Sequence, residues 1–394
     1  MIFTSESCGH DPDHGKIETR GVSSLKIQFM KGSLVLGKVG GIRIEIHWTF
    51  TLLLLWVLFT TLKQGGDTAM VLFNITLILV LFLCVVLHEM GHSYMAYRFG
   101  IPTRAITLLP IGGVASLDKM PEEPKRELAV ALAGPAVNVI IALLLLLVVP
   151  LNAYGDFTTE QWEQFFAAPS REAFLMYLLI ANVLLVVFNL IPAFPMDGGR
   201  VLRALLGFSY NRARATDIAA RLGQGLSFIF LILGLLFNPF LVIIAIFIFF
   251  GAYAENKMVQ QNYQLRGHKV REALLTDLTL FHPEDPLEKA IETILKGTQK
   301  DFIVVREHKP IGILPNKTIL EHAQAPQRPI GELIKTSFPS VGPDSDLEKA
   351  IEIMGRHQLK FLPVLEGETL IGAISSENIS EFILLKAGMA PPAS

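Results

Sequence analysis

From Ala69 the chain runs nineteen residues without a charge, and that run ends in Leu87-His88-Glu89-Met90-Gly91-His92. A run of this length is enough to cross the hydrocarbon of a bilayer as a helix, the conformation in which one segment satisfies its own backbone N–H and C=O groups. The chain must therefore accommodate two imidazoles and a carboxylate on a membrane helix. Ionisable groups there cost about 2.5 kcal/mol or more each, so a functional role is expected of them.

On a helix, His88 and His92 lie one turn apart on one face, and both rings can reach a single tetrahedral ion such as zinc. Glu89 sits beside them as a proton acceptor. The H-E-x-x-H spacing is that of zinc-dependent peptidases, in which the ion acidifies a water and the glutamate removes its proton. Cys84, one turn earlier on the same face, is either a further ligand or a small packing residue.

Composition divides the 394 residues. Apolar residues concentrate between Ile46 and Ala254, and the last 140 have ordinary soluble composition. A net charge of −2 gives no reason to expect a nucleic-acid partner. Two cysteines, Cys8 and Cys84, make no disulfide framework. Residues 1–43 are polar, without a signal-peptide core, and read as a cytoplasmic tail, disordered from Met1 to Gly21. His10 and His14 there are assigned no chemistry.

Six apolar spans are expected: Ile46–Leu62, Ala69 to about Arg98, Leu128–Val149, Ala173–Met196, and Leu222–Ala254 divided in two by Asn238-Pro239. Basic residues alternate between the connecting segments, which puts both termini in the cytoplasm of a plasma or inner membrane. His88 lies ten residues before Arg98, about 15 Å in from the cytoplasmic end.

Two histidines leave a catalytic zinc one protein ligand short. Asp197, near the inner end of the fourth run, can complete it. Pro192, Pro195 and Gly198-Gly199 are expected to break that helix, which is tolerated where backbone lines a wet cavity. In the third run Asn138 reaches the depth of His88, either to hold a substrate carbonyl or its oxyanion, or to join helices. His47, beside Trp48 at the start of the first run, is an interfacial anchor or a minor site residue. The apolar segment Ile106–Leu117, with Gly112-Gly113, reads as a hairpin or re-entrant strand whose edge could pair with an unwound substrate, or as a loop dipping into the interface.

From Gly41 to about Gly207 these residues resemble the site-2 proteases, intramembrane zinc metallopeptidases of peptidase family M50. The resemblance rests on His88-Glu89-Met90-Gly91-His92, on Gly134-Pro135 to Asn138, and on Asn189 to Gly199. It implies one Zn2+ per chain held by His88, His92 and Asp197, with Glu89 as general base and Asn138 as a substrate-contacting catalytic residue. It also implies cleavage of a single-span membrane-protein substrate within its transmembrane helix. Met196 stands where the familiar motif has leucine, a volume-conserving change.

After Glu255, Leu287-Glu288-Lys289-Ala290-Ile291-Glu292 recurs sixty residues later as Leu347-Glu348-Lys349-Ala350-Ile351-Glu352, and Ile311-Gly312 as Ile371-Gly372. Each unit reads as helix, strand, strand and helix. The pair resembles tandem CBS domains, which implies an adenine nucleotide in the cleft between repeats or a homodimerising, docking role. Family binders carry Ser or Thr and then Asp three residues on; here the second repeat has Ser375 and Asn378, and the first Pro315 and Thr318.

The expected fold is thus a polytopic α-helical membrane domain followed by a soluble α/β tandem CBS module. The expected division is tail 1–43, membrane metalloprotease domain 44–256, linker 257–267, CBS repeats 268–325 and 326–387, and tail 388–394. A non-catalytic receptor or transporter with a structural metal site is the competing class. A structural zinc site is normally closed by four protein ligands, and the membrane spans show no repeated halves.

Overall fold

The structure, a computed structural model, describes residues 32–110, 112–117, 121–297, 299–307, 309–357 and 359–389. The expectations for Met1 to Gly21, including Cys8, His10 and His14, and for the tail beyond residue 389 lie outside those residues. The chain divides into two compact units. One holds Gly32–Ala273, Asp344–Glu348 and the chain from Glu377; the other holds Leu274–Pro343 and Lys349–Ser376.

The membrane part comprises β1 (Ser33–Val39), β2 (Ile42–His47), α1 (Thr49–Lys63), α2 (Thr68–Arg98), β3 (Thr103–Leu109), β4 (Gly112–Leu117), α3 (Pro124–Leu146), α4 (Thr159–Ala167), α5 (Arg171–Asn189), α6 (Asp197–Leu206), α7 (Arg212–Leu236) and α8 (Pro239–Leu265). Among the described residues five helices, α2, α3, α5, α7 and α8, are long and apolar enough to cross a membrane. The expected first span falls short. α1 has 15 residues, a rise of about 22 Å against about 30 Å of hydrocarbon. The apolar run thought to begin at Ile46 starts as strand, because hydropathy alone does not separate a strand from a helix. Likewise the last residues of the expected N-terminal tail form β1 and the start of β2.

The four strands make one sheet in the order β1-β2-β3-β4. β2 and β3 are parallel, with Arg43 opposite Ala105 and Ile46 opposite Leu108; the other pairs are antiparallel. Parallel neighbours need a crossover, and here it is the α1–α2 hairpin. The start of α1 and the end of α2 therefore return to one sheet. The segment read as a hairpin or a dipping loop is the β3–β4 hairpin, and β4 forms an edge of the sheet.

Sequence-local signals set the helix ends. Asp67 accepts from Met70 N at 2.9 Å to start α2, and Asn211 accepts from Arg214 N at 2.9 Å to start α7. α4 opens on a capping box formed by Thr158 and Gln161, so the segment between the expected third and fourth spans contains a helix. The break after α5 falls at Leu190–Met196. Pro192 and Pro195 lie within it, but Gly198 and Gly199 do not break a helix as expected. They form the first turn of α6, where a Cβ on Gly198 would lie 2.1 Å from the Ile191 carbonyl oxygen.

At the N-terminal end of α3 a buried ionic cluster fixes α6. Arg203 donates to Glu127 at 2.6–2.7 Å and to Glu255 of α8 at 2.5 Å, and Arg212 of α7 lies 3.4 Å from Glu127. The Arg203 guanidinium also stacks over the Phe194 ring at 5.0 Å. Removing one member strands a buried charge. Arg203→Met should therefore destabilise the protein by about 3–5 kcal/mol, measured as unfolding in detergent, whereas the exposed Arg221→Met should change it little.

The C-terminal elements are β5 (Leu280–Phe281), α9 (Leu287–Lys296), β6 (Phe302–Arg306), β7 (Lys309–Leu314), α10 (Asn316–Glu321), α11 (Leu347–His357), β8 (Phe361–Glu366), β9 (Thr369–Ser375) and α12 (Ser376–Met389). The sixty-residue repeat extends to backbone detail. Val304 pairs with Gly312 and Val364 with Gly372, and each ladder shifts register immediately afterwards, at Val304/Val305 and at Val364/Leu365. Ile303 and Val305 of the first hairpin share a buried cluster with Phe361 and Ala373 of the second.

Candidate metal centre

His88 and His92 are buried on one face of α2, which packs closely on α3. Glycines allow that approach. A Cβ on Gly91 would lie 2.6 Å from the Ala133 carbonyl oxygen, and one on Gly134 would lie 2.2 Å from His92 Nε2 and 2.7 Å from His88 Nε2.

Each imidazole is held through its far nitrogen. His92 Nδ1 lies 2.7 Å from the Val130 carbonyl oxygen, which can only accept, so this nitrogen carries the hydrogen. His88 Nδ1 donates to Asn138 Oδ1 at 2.5 Å. Both Nε2 atoms therefore turn bare lone pairs toward a common point. Asp197, the first residue of α6, joins them there: its Oδ2 is 3.2 Å from His88 Nε2 and 3.0 Å from His92 Nε2, and the two Nε2 atoms are 3.1 Å apart. Its other oxygen lies 3.8 Å from Arg200.

Three acceptors converging with no hydrogen between them repel one another unless a cation lies among them. Donors bound at 2.0–2.1 Å to a tetrahedral zinc stand about 3.3 Å apart, close to the observed triangle. These residues fit a zinc ion. His88, His92 and Asp197 are also the group whose ligand atoms cluster tightly enough to hold a metal, among the described residues.

Other sequence candidates fall around this triangle. Glu89 is half-buried, next to His88, and Gly113 of β4 packs on it: a Cβ at Gly113 would lie 2.9 Å from Glu89 Cγ. Cys84 is buried, but its sulfur accepts from Asn182 Nδ2 at 3.6 Å and it is not in the metal group. His47 is also outside it, at the end of β2, with Nδ1 2.7 Å from Thr49 Oγ1. Asn138 is fully buried against the Nδ1 side of His88, with its NH2 donating to Asn182 Oδ1 at 2.8 Å. Its carbonyl oxygen is thus used by an imidazole, away from the converging lone pairs, and its NH2 joins α3 to α5, as the helix-joining reading expects. Sequence reasoning missed Asn182, and it gave Gly134 no packing role. Asn182 had a signal, an isolated amide inside an uncharged run.

The sequence model of peptidase family M50 matches residues 76–234, and that of the CBS domain matches residues 330–385. A zinc metalloprotease of Methanocaldococcus jannaschii is 34% identical over 359 residues, taking in 89% of this chain and 96% of the relative. Stage IV sporulation protein FB of Bacillus subtilis is 29% identical over 126 residues, 32% of this chain and 38% of its own. Among solved structures, the site-2 protease from Methanocaldococcus jannaschii is 39% identical, covers 57% of this chain and 95% of that one, and superposes with a TM-score of 0.41. Identity that extends over nearly the whole of a zinc metalloprotease sets aside the non-catalytic alternative, and the chain belongs to peptidase family M50 as a multi-pass membrane zinc metalloendopeptidase of the site-2 protease type.

Proposed function

We propose that this enzyme hydrolyses a peptide bond within the transmembrane helix of a single-span membrane protein, with His88, His92 and Asp197 holding one zinc ion and Glu89 as general base. The observation that carries this reading is the triangle of His88 Nε2, His92 Nε2 and Asp197 Oδ2, 3.0–3.2 Å apart. When bound, zinc supplies a Lewis acid that polarises the scissile carbonyl and makes water a stronger acid. Glu89 takes the proton of the attacking water and returns it to the departing amine, a role suited to a half-buried carboxylate beside the donors. Arg200 steadies the Asp197 carboxylate from outside the triangle.

A helical substrate hides its carbonyls in its own hydrogen bonds, so it must be unwound before attack. The edge of β4 offers backbone groups to an unwound strand, and Gly113 brings that edge against Glu89. Of the two expectations for Ile106–Leu117, strand pairing is the one the hairpin supports.

Six crossings with cytoplasmic termini remain our topology, α1 being the sixth. Because β2 and β3 pair, α1 must leave and α2 must return on one side. α1 is short because β2 supplies the inner part of its path. The soluble part is read as CBS repeats 268–325 and 326–387, which regulate cleavage through an adenine nucleotide; the expected linker 257–267 is instead mostly the continuation of α8 to Leu265. Titrating ATP against the purified full chain while following binding and cleavage checks that role; no binding and no change in rate would remove it.

Metal content tests the site directly. Asp197→Asn should lose most of the zinc and His47→Ala should keep it, by elemental analysis of protein purified without chelator. The reverse pattern would move the third ligand to His47.

A further inference from the structure

Asn182 lies in the middle of α5, fully buried in an apolar stretch, where an amide with no purpose would be costly. Its Nδ2 donates to the Leu178 carbonyl oxygen at 2.8 Å and points at Cys84 Sγ at 3.6 Å. A backbone carbonyl only accepts, so the amide can face it only with its nitrogen, and Oδ1 must face the other way. There it accepts from Asn138 Nδ2 at 2.8 Å. That contact fixes the second amide in turn and leaves Asn138 Oδ1 on His88 Nδ1 at 2.5 Å. Orientation passes from a helix carbonyl on α5, through two side chains, to a ring nitrogen on α2.

We propose that Asn182 is a positioning residue for the metal centre: acting through Asn138, it holds His88 with the hydrogen on Nδ1 and a bare lone pair on Nε2. This rests on the reading of His88 as a metal donor. It also gives Asn138 a role on the imidazole instead of on the substrate. If Asn138 were free to rotate its amide, its NH2 would face Nδ1, and the ring would place its hydrogen on Nε2, where the ion belongs. Such outer partners fix the tautomer and direction of a metal-bound histidine.

The test uses the purified full chain loaded with zinc, challenged with an excess of a colorimetric zinc chelator. Asn182→Leu should weaken zinc retention by about 10–100-fold, the range typical of outer partners of metal ligands. Asn138→Leu should do the same, and the double variant should be no weaker than Asn138→Leu alone, because one broken link interrupts the whole path. The cobalt-substituted protein should change its visible spectrum in each variant, reporting altered ligand geometry. Thermal unfolding of the zinc-free variants is measured alongside. Retention equal to wild type, or losses in the double variant that add and follow the melting of the zinc-free protein, would reduce the pair to a link between helices and overturn the proposal. Should Asn182→Leu fail to fold, Asn182→Ala removes the amide without adding bulk and carries the same comparison. His88→Ala separates this from the broader reading. If that variant keeps its zinc, the metal site itself is wrong; if it loses zinc while both Asn182 variants hold it as wild type does, only the positioning role falls.

Discussion

Gly134→Ala should give a folded membrane protein that does not retain zinc. The substitution is the smallest possible, and in most helix positions it is stabilising by up to about 1 kcal/mol. Here the added carbon would stand 2.2 Å from His92 Nε2, 2.5 Å from His92 Cε1 and 2.7 Å from His88 Nε2. No carbon sits that close to a ring nitrogen, so the imidazoles must swing away or α3 must withdraw from α2. Either movement opens the triangle of donors and breaks the contacts of His92 with Val130 and of His88 with Asn138. The loss of zinc affinity should exceed the roughly 10–100-fold typical of changes to outer partners, because the donors themselves are displaced. Elemental analysis gives the metal content and circular dichroism the helix content. A Gly134→Ala protein that still carries an equivalent of zinc would mean that the described geometry of α2 and α3 is wrong.

Glu89→Gln should leave the zinc in place and lower cleavage of a co-expressed single-span substrate by about 10²–10⁴-fold, the usual contribution of a general base. Glutamine has the size and shape of the glutamate it replaces, so the close packing of Gly113 on the Glu89 side chain is kept. What is lost is the ability to accept a proton. The two variants therefore separate the centre's functions: Gly134→Ala removes metal and activity together, Glu89→Gln activity alone. Cleavage by Glu89→Gln at the wild-type rate would take the base role away from this residue.

Much of the site could be read from the sequence because its parts are polar residues in places where lipid penalises them. His88, His92 and Asp197 stood out for that reason, and the structure brings them within 3.2 Å of one another although Asp197 comes from a different helix. The same reasoning applied to Asn138 but was not carried to Asn182, which looks like one amide among leucines and valines. Its partner is 44 positions away in sequence, and no local pattern announces such a contact. Gly134 was noticed as part of a motif, yet the reason for a missing side chain lies across a helix interface, where a one-dimensional pattern has nothing to say.

The fold was legible to a similar depth. Long uncharged runs became α2, α3, α5, α7 and α8, and Asn238-Pro239 separates the last two as expected. The failures came where hydropathy is indifferent to backbone shape. Ile46 and His47 continue the apolar run into α1 but finish β2, where Ile46 pairs with Leu108 of β3, more than fifty residues later, and His47 with Ser33 of β1. Gly198-Gly199 reads as a helix breaker by propensity, but tertiary packing against Ile191 and Ala193 overrides that preference and uses the glycines to seat α6. α4 was missed for a lesser reason: its Thr158–Gln161 capping box is visible in the sequence, but the helix has only nine residues and lies in a segment between two apolar runs.

The separation of Asp197 from His92 by 105 positions also bears on how the protein is made. At ribosomal speeds of about 5–20 residues per second, roughly 5–20 s pass between emergence of the histidine pair and arrival of the acid that completes their set. During that interval the histidine pair lacks the carboxylate that stands 3.0 Å from His92 Nε2 in the finished fold. The proposed set of three donors is therefore complete only once most of the membrane part has been synthesised.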